Sequence, residues 1–178
     1  HWAGRIAGTV VLKGDKSRPL YDLDLRGQEV QLLGYQVRQF TLAGNTISGK
    51  DTRLSAEDLQ IDGQVIDRLS LDMTGRLDDA RIRVAADADD YSIESAGRLR
   101  WLPQQQSYQA DSLQLDAGKL GVWRLREPAS VKLSGSGYSF TPLCLVDSGH
   151  GAALCASDGG RNIALQSHDF PLALVEPF

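Results

Sequence analysis

Reactive side chains are scarce in this chain, with two cysteines, one methionine and three histidines among 178 residues. One histidine is the first residue, so little is left for general acid–base work. No apolar run approaches the roughly 20 residues that a membrane-crossing helix requires. The 19 lysines and arginines are scattered rather than gathered into a stripe with aromatics between them, and the formal net charge is −4. Both facts argue against nucleic acid, whose binding rests largely on neutralising phosphates. A polybasic tract suited to an anionic membrane surface is also missing. Helix signals are thin. Ser55-Ala56-Glu57-Asp58 has the form of a capping box, but Gly63 follows within two turns and the apolar spacing there is two. A short turn of helix is expected only in the stretch from Pro171 to Phe178.

What is present is a repeated strand pattern. Residues 30–42 read VQLLGYQVRQFTL and residues 59–71 read LQIDGQVIDRLSL. Val30, Leu32, Gly34, Val37, Phe40 and Leu42 of the first copy fall on Leu59, Ile61, Gly63, Ile66, Leu69 and Leu71 of the second. Apolar residues at period two on either side of a glycine describe a half-buried strand, a tight turn and a second strand. A partial third copy, SLQLDAGKL from Ser112, puts Leu113 and Leu115 in the leading slots. The same alternation runs through Leu23 and Leu25 up to a break at Gly27, then Ile82 and Val84, Ile93 and Leu99, and Val131 and Leu133. Turn signals follow at Pro103–Ser107, at Ser134-Gly135-Ser136-Gly137 and at Asp158–Asn162, roughly every 8–14 residues, the spacing of an all-β protein.

Hydrophobic residues make up 42% and charged residues 24%, so a sizeable core is within reach. No composition shift marks an internal boundary, and residues 1–178 are read as a single segment. The residues between the apolar positions are polar, including Gln31, Thr41, Gln60, Ser70, Arg83, Gln114 and Lys132. One face of the sheet is therefore wet and the other aliphatic. The apolar stripe expected on one face is Val30, Leu32, Val37, Phe40, Leu42, Leu59, Ile61, Leu69, Leu71, Ile82, Val84, Ile93, Leu99, Leu113, Leu115, Val131 and Leu133. Such a face must close on itself, stack on a second sheet, or hold something apolar. By the residues alone a closed sandwich core, structural or adhesive in purpose, is the commoner solution.

Cys144 and Cys155 bracket LVDSGHGAAL, whose glycine-rich centre would set the two thiols opposite each other in a hairpin. That arrangement points to a disulfide and an oxidising compartment; two buried thiols in a reducing one are the alternative. Cys144, Asp147, His150 and Cys155 do not match an ordinary zinc spacing. Ser167-His168-Asp169 holds the three triad residue types, but consecutive strand residues point to opposite faces. Asp78-Asp79 and Asp87, Asp89 and Asp90 lack the glycine of a calcium loop, and no phosphate cradle opens a helix. No catalytic residue, cofactor or metal is expected.

With these features in place, the chain resembles the TamB-like proteins of the wider AsmA-like group of bacterial envelope proteins. The resemblance runs from Tyr91 to Phe178 most strongly: S-A-G-R-L-R-W from Ser95, then S-L-Q-L-D-A-G-K-L-G-V-W-R-L-R-E-P-A-S-V-K-L from Ser112, L-C-L from Leu143, A-A-L-C-A from Ala152 and F-P-L-A-L from Phe170. Its most specific part is Trp123-Arg124-Leu125 and Pro128, followed by the two cysteines and a Pro-Leu pair. The repeats of the form L-x-A-x-x-L-x-I-x-G-x-x-I-x-x-L-x-L, beginning at Leu54, are typical of the group. The resemblance implies a long, curved antiparallel β-sheet folded into an open trough with an aliphatic interior. It implies a periplasmic place, in a protein anchored to the inner membrane by a segment outside this stretch. It implies partnership with TamA, an outer-membrane barrel of the Omp85 type, in inserting outer-membrane proteins and carrying phospholipid between membranes. Acyl chains or unfolded amphipathic strands would then occupy the trough.

Overall fold

The computed structural model describes residues 2–15, 18–32, 34–61, 63–135, 137–158 and 162–169. The Pro171–Phe178 turn and the Gly159–Arg161 part of the last hairpin lie outside them. The strands in order are β1 (Trp2–Asp15), β2 (Arg18–Leu32), β3 (Tyr35–Asn45), β4 (Lys50–Ile61), β5 (Gln64–Arg76), β6 (Asp79–Ala88) and β7 (Tyr91–Leu102). They continue as β8 (Gln105–Asp116), β9 (Val122–Leu125), β10 (Ala129–Ser134), β11 (Gly137–Phe140), β12 (Leu143–Asp147), β13 (Ala153–Asp158) and β14 (Ile163–His168). A single turn of 3₁₀-helix at Gly118–Leu120 is the one helical element among the described residues. The chain is all-β, as the alternation predicts.

All 14 strands join one antiparallel sheet, and its first eight are hairpin neighbours in chain order. β1 and β14 lie at opposite ends of the main path, so the sheet is open. The repeats explain the hairpins. Gly34 and Gly63 sit between β2 and β3 and between β4 and β5 with φ of 93° and 85°, a conformation only glycine adopts freely.

Two local readings need correction. Gly27 does not break its strand, because β2 runs through it. The ring of Phe40 on β3 lies against Gly27, and a Cβ there would meet it at 2.0 Å, so the glycine makes room for an aromatic. The loop at Pro103 is only two residues long, since Gln105, Gln106 and Ser107 already pair in β8. β8 is itself a fork: residues Gln105–Ala110 pair with β10, and Gln114–Asp116 pair with β9.

The molecule has almost no interior. A compact monomer of this mass exposes about 8,500 Å² by surface scaling, whereas this chain exposes 12,616 Å². No large side chain among the described residues is fully buried. Among the described residues, two small clusters do the work of a core. One gathers Tyr21, Met73 and Ala80, from β2, β5 and β6, with Leu23, Leu71, Ile82 and Leu99 against it. β2 and β5 are three strand spacings apart along the sheet, about 14 Å if it were flat, so this cluster marks the side toward which it curls. Tyr21 also reaches over to Thr52 on β4, hydroxyl to hydroxyl at 2.7 Å. The second cluster gathers Ala117, Trp123 and Ala152 with Leu115, Leu120 and Leu145, beyond the fork. The architecture is an open, curved trough.

Cys144 and Cys155 stand directly opposite each other on β12 and β13 and are joined by a disulfide. With so little core beneath it, this outlying hairpin depends on the cross-link. Replacing both cysteines by serine is expected to cost about 3 kcal/mol in the chain-entropy treatment, read as a lower denaturation midpoint. Two free thiols titrating in the native, unreduced protein would contradict the pairing.

Candidate functional site

Register, rather than spacing, decides which side chains share a face. Residues directly opposite in an antiparallel pair point the same way. One row runs Gly27–Phe40–Ala56–Leu69–Ala86–Ile93–Leu115–Trp123 across seven strand pairings. The next runs Leu25–Leu42–Leu54–Leu71–Val84–Ser95–Leu113. A third row joins Met73, Ile82 and Gly97, and a fourth joins Ala80, Leu99, Tyr108 and Val131, with Leu133 two residues further along β10. The structure thus brings Phe40, Leu42, Leu69, Leu71, Ile82, Val84, Ile93, Leu99, Leu113, Leu115, Val131 and Leu133 onto rows of one face.

Val30, Val37 and Leu59 occupy a separate row with Ile66, and Ile61 pairs with Gln64 beyond it. Leu32 pairs with Tyr35, but its side chain lies outside the described set. Val37 and Phe40 are three residues apart, as are Leu59 and Ala56, and Ile66 and Leu69. The apolar phase therefore changes along one line across the strands. On that line Glu29 and Asp58 adopt φ of 51° and 49°, and Arg38 pairs with Asp58 and, at 2.8 Å, with Glu57. Spacing alone could not reveal this shift, because a period of three reads as a turn or slip in a single strand.

The apolar face is open to water. Ile6, Val10 and Leu12 of β1 are exposed, as are Ile93, Val131, Leu133, Leu154 and Leu165. By register they lie on the same side as the rows above. The opposite face carries charge in complementary pairs: Arg53 meets Asp72 at 3.2 Å and Arg68 meets Asp87 at 3.5 Å, each pair directly across a strand boundary. Of the alternate residues, Gln31, Ser70, Arg83 and Lys132 are exposed, while Thr41, Gln60 and Gln114 are half-buried.

Two residues outside the expected apolar stripe, Trp123 and Asp147, lie at the end of the trough. Trp123 is 5% exposed, and its indole N–H donates to the Leu120 carbonyl at 2.8 Å. Opposite it on β12 stands Asp147, 4% exposed. Its carboxylate accepts from the backbone N–H of His150 at 2.6 Å and of Gly149 at 3.2 Å. The His150 N–H lowers the Asp147 pKa most, burial opposes the shift, and Gly149 and the His150 ring add to the lowering. The spacing D-x-x-H in a glycine-rich hairpin was the available signal. A carboxyl whose folded pKa is depressed stabilises the fold above its unfolded pKa, and that contribution is lost as pH falls through the folded value. Asp147→Asn is therefore expected to flatten the drop in melting temperature that the wild type shows as pH falls from the ordinary carboxylate range, about pH 4, down through the depressed folded value. Parallel melting curves of the two proteins across that window would contradict the assignment.

Ser167 and His168 are exposed on β14. No group of three or more histidine, cysteine, aspartate or glutamate side chains is arranged to hold a metal among the described residues. No helix among them is long and apolar enough to cross a membrane.

A family model described as TamB, N-terminal domain, matches residues 1–178. No curated protein and no solved structure matches the chain.

Proposed function

Because this chain belongs to the TamB family, by the N-terminal-domain model that spans it, we propose that it is a non-enzymatic stretch of a periplasmic conduit. In this reading its apolar face shelters phospholipid acyl chains or unfolded amphipathic strands of outer-membrane proteins. The observation that carries the reading is a single open sheet whose rows of Leu, Val and Ile face water with no second layer over them among the described residues. Leaving so much aliphatic surface wet is unfavourable by about 25 cal/mol per Å², which a guest's acyl chain would recover. The apolar rows, with Val30, Val37, Leu59 and Ile61 beyond the phase change, form the lining in this reading. The protein is anchored in the inner membrane through a segment outside this stretch. It works with a TamA-like barrel of the Omp85 type, also contacted elsewhere. A purely structural or adhesive role would call for a closed core, and the open edges speak against one.

The experiment is binding of a fluorescent fatty acid to the 178-residue chain, with native mass spectrometry before any delipidation. Saturable binding that phospholipid displaces, together with co-purified lipid, is the expected result. A chain that binds neither probe would reject the conduit.

A further inference from the structure

Among the described residues, one strand pair of the polar face sets like charges directly opposite each other. Some arginines stand across from aspartates, as in Arg53–Asp72 and Arg68–Asp87. On β6 and β7, Arg81 stands directly opposite Arg98, and like charges in such a pair destabilise a sheet. Arg83 is two residues along β6 on the same face. Its cross-strand neighbour Asp72 is engaged by Arg53 at 3.2 Å. Arg98 leans away to Asp79 at 3.5 Å. Arg81 and Arg83 form no ion pair among the described residues.

These arginines surround a depression of about 570 Å³. Its floor is Ala96 and Gly97, which raise no long side chain. Asp51 on β4 and Asp111 on β8 stand at its two ends, four strand spacings or about 19 Å apart, and the ion-paired Arg53 and Asp72 also line it. Asp111 comes from a β-bulge: Ala96 pairs with Ser112 and Gly97 with Ala110, so Asp111 is the unmatched residue. Bulges re-aim side chains and recur beside binding sites.

We propose that this depression on the polar face is a binding site for a compact phosphate group, held by Arg81, Arg83 and Arg98. Guanidinium forks match phosphate oxygens two at a time, and an anion between Arg81 and Arg98 removes their repulsion. The flanking aspartates repel an extended polyanion and limit the ligand to about one phosphate. The site lies on the face opposite the apolar rows and does not rest on the conduit reading.

The test is an NMR titration of the whole chain with inorganic phosphate, against chloride at matched ionic strength. Saturable shifts confined to Arg81, Arg83, Arg98 and Gly97 are expected. Arg81→Gln with Arg83→Gln should weaken binding about tenfold or more, the scale of one lost charge-assisted hydrogen bond. Without phosphate, Arg81→Gln should melt no lower than wild type, because a like-charge pair is relieved. Arg81→Lys, which keeps the charge, should weaken binding less than Arg81→Gln. Arg26→Gln, removing a same-face arginine beside Asp24, should leave affinity unchanged. Shifts that do not saturate, or equal loss in Arg26→Gln, would overturn the site. Vesicles of zwitterionic lipid with and without phosphatidic acid tell the sources apart. Vesicle binding lost in the double variant assigns the phosphate to a lipid headgroup, and phosphate binding without vesicle binding assigns it to a soluble ester.

Discussion

Trp123→Ala is expected to cost about 3–5 kcal/mol, the range for deleting a large buried aromatic, and to release one end of the trough while the other stays folded. Trp123 is the largest side chain in its cluster, and the remaining buried members are Ala117 and Ala152. Truncation leaves a void that two alanines cannot fill, and a cavity that fails to collapse adds to the lost burial. The substitution also removes the donor to the Leu120 carbonyl, which closes the Gly118–Leu120 turn leading into β9. β9 is the bridge from β8 to β12, so among the described residues β12, β13 and β14 are hydrogen-bonded into the main sheet through it. The Tyr21–Met73–Ala80 cluster lies in other strands and shares no residue with this one. Hydrogen exchange should therefore lose protection in β9 and β12–β14 and keep it in β2–β7. Equal loss along the whole sheet would show a single cooperative unit instead.

What the sequence discloses here is local, and what it hides is the pairing between strands. Gly34 and Gly63 are readable as turns because the apolar positions on both sides keep period two right up to them. The disulfide is readable for the same reason, as Cys144 and Cys155 sit at matched distances from a glycine-rich turn. β1 is not, although it is 14 residues long. Val10, Val11 and Leu12 are contiguous and blur the alternation that a one-sided strand should show. The fork at β8 has no local signature, since Gln105–Asp116 reads as one continuous strand whichever neighbours it takes. The same holds for the polar face. Arg81 and Arg98 each look like an ordinary wet-face residue, and only the β6–β7 register sets one against the other. Asp147 was visible as a residue but not as a buried one, because its burial comes from Trp123 across the strand boundary and the hairpin N–H groups above it.

Leu69→Asp and Leu71→Arg should separate conduction from folding, and the structure predicts that they differ. Both are half-buried on adjacent rows of the apolar face. Leu69 stands between Ala56 and Ala86, whose side chains are shorter than its own, and it keeps part of its surface in water. An aspartate there stays partly wet in the folded protein, so its charge is not fully desolvated and the melt should fall only modestly. Passing an acyl chain over it is another matter. The guest would strip that water, and an unpaired charge in apolar surroundings costs several kcal/mol. Leu71 instead packs against the Tyr21–Met73–Ala80 cluster. An arginine in its place disturbs one of the two clusters found among the described residues, so Leu71→Arg should lower the melting temperature as well as function. The paired readouts are thermal melting of the chain and envelope permeability in cells carrying the full-length protein. A near-normal melt for Leu69→Asp with a leaky envelope is the result that the conduit requires. A normal melt with an intact envelope would reject conduction past Leu69. Collapse of the Leu69→Asp fold would show that this position is sealed from water.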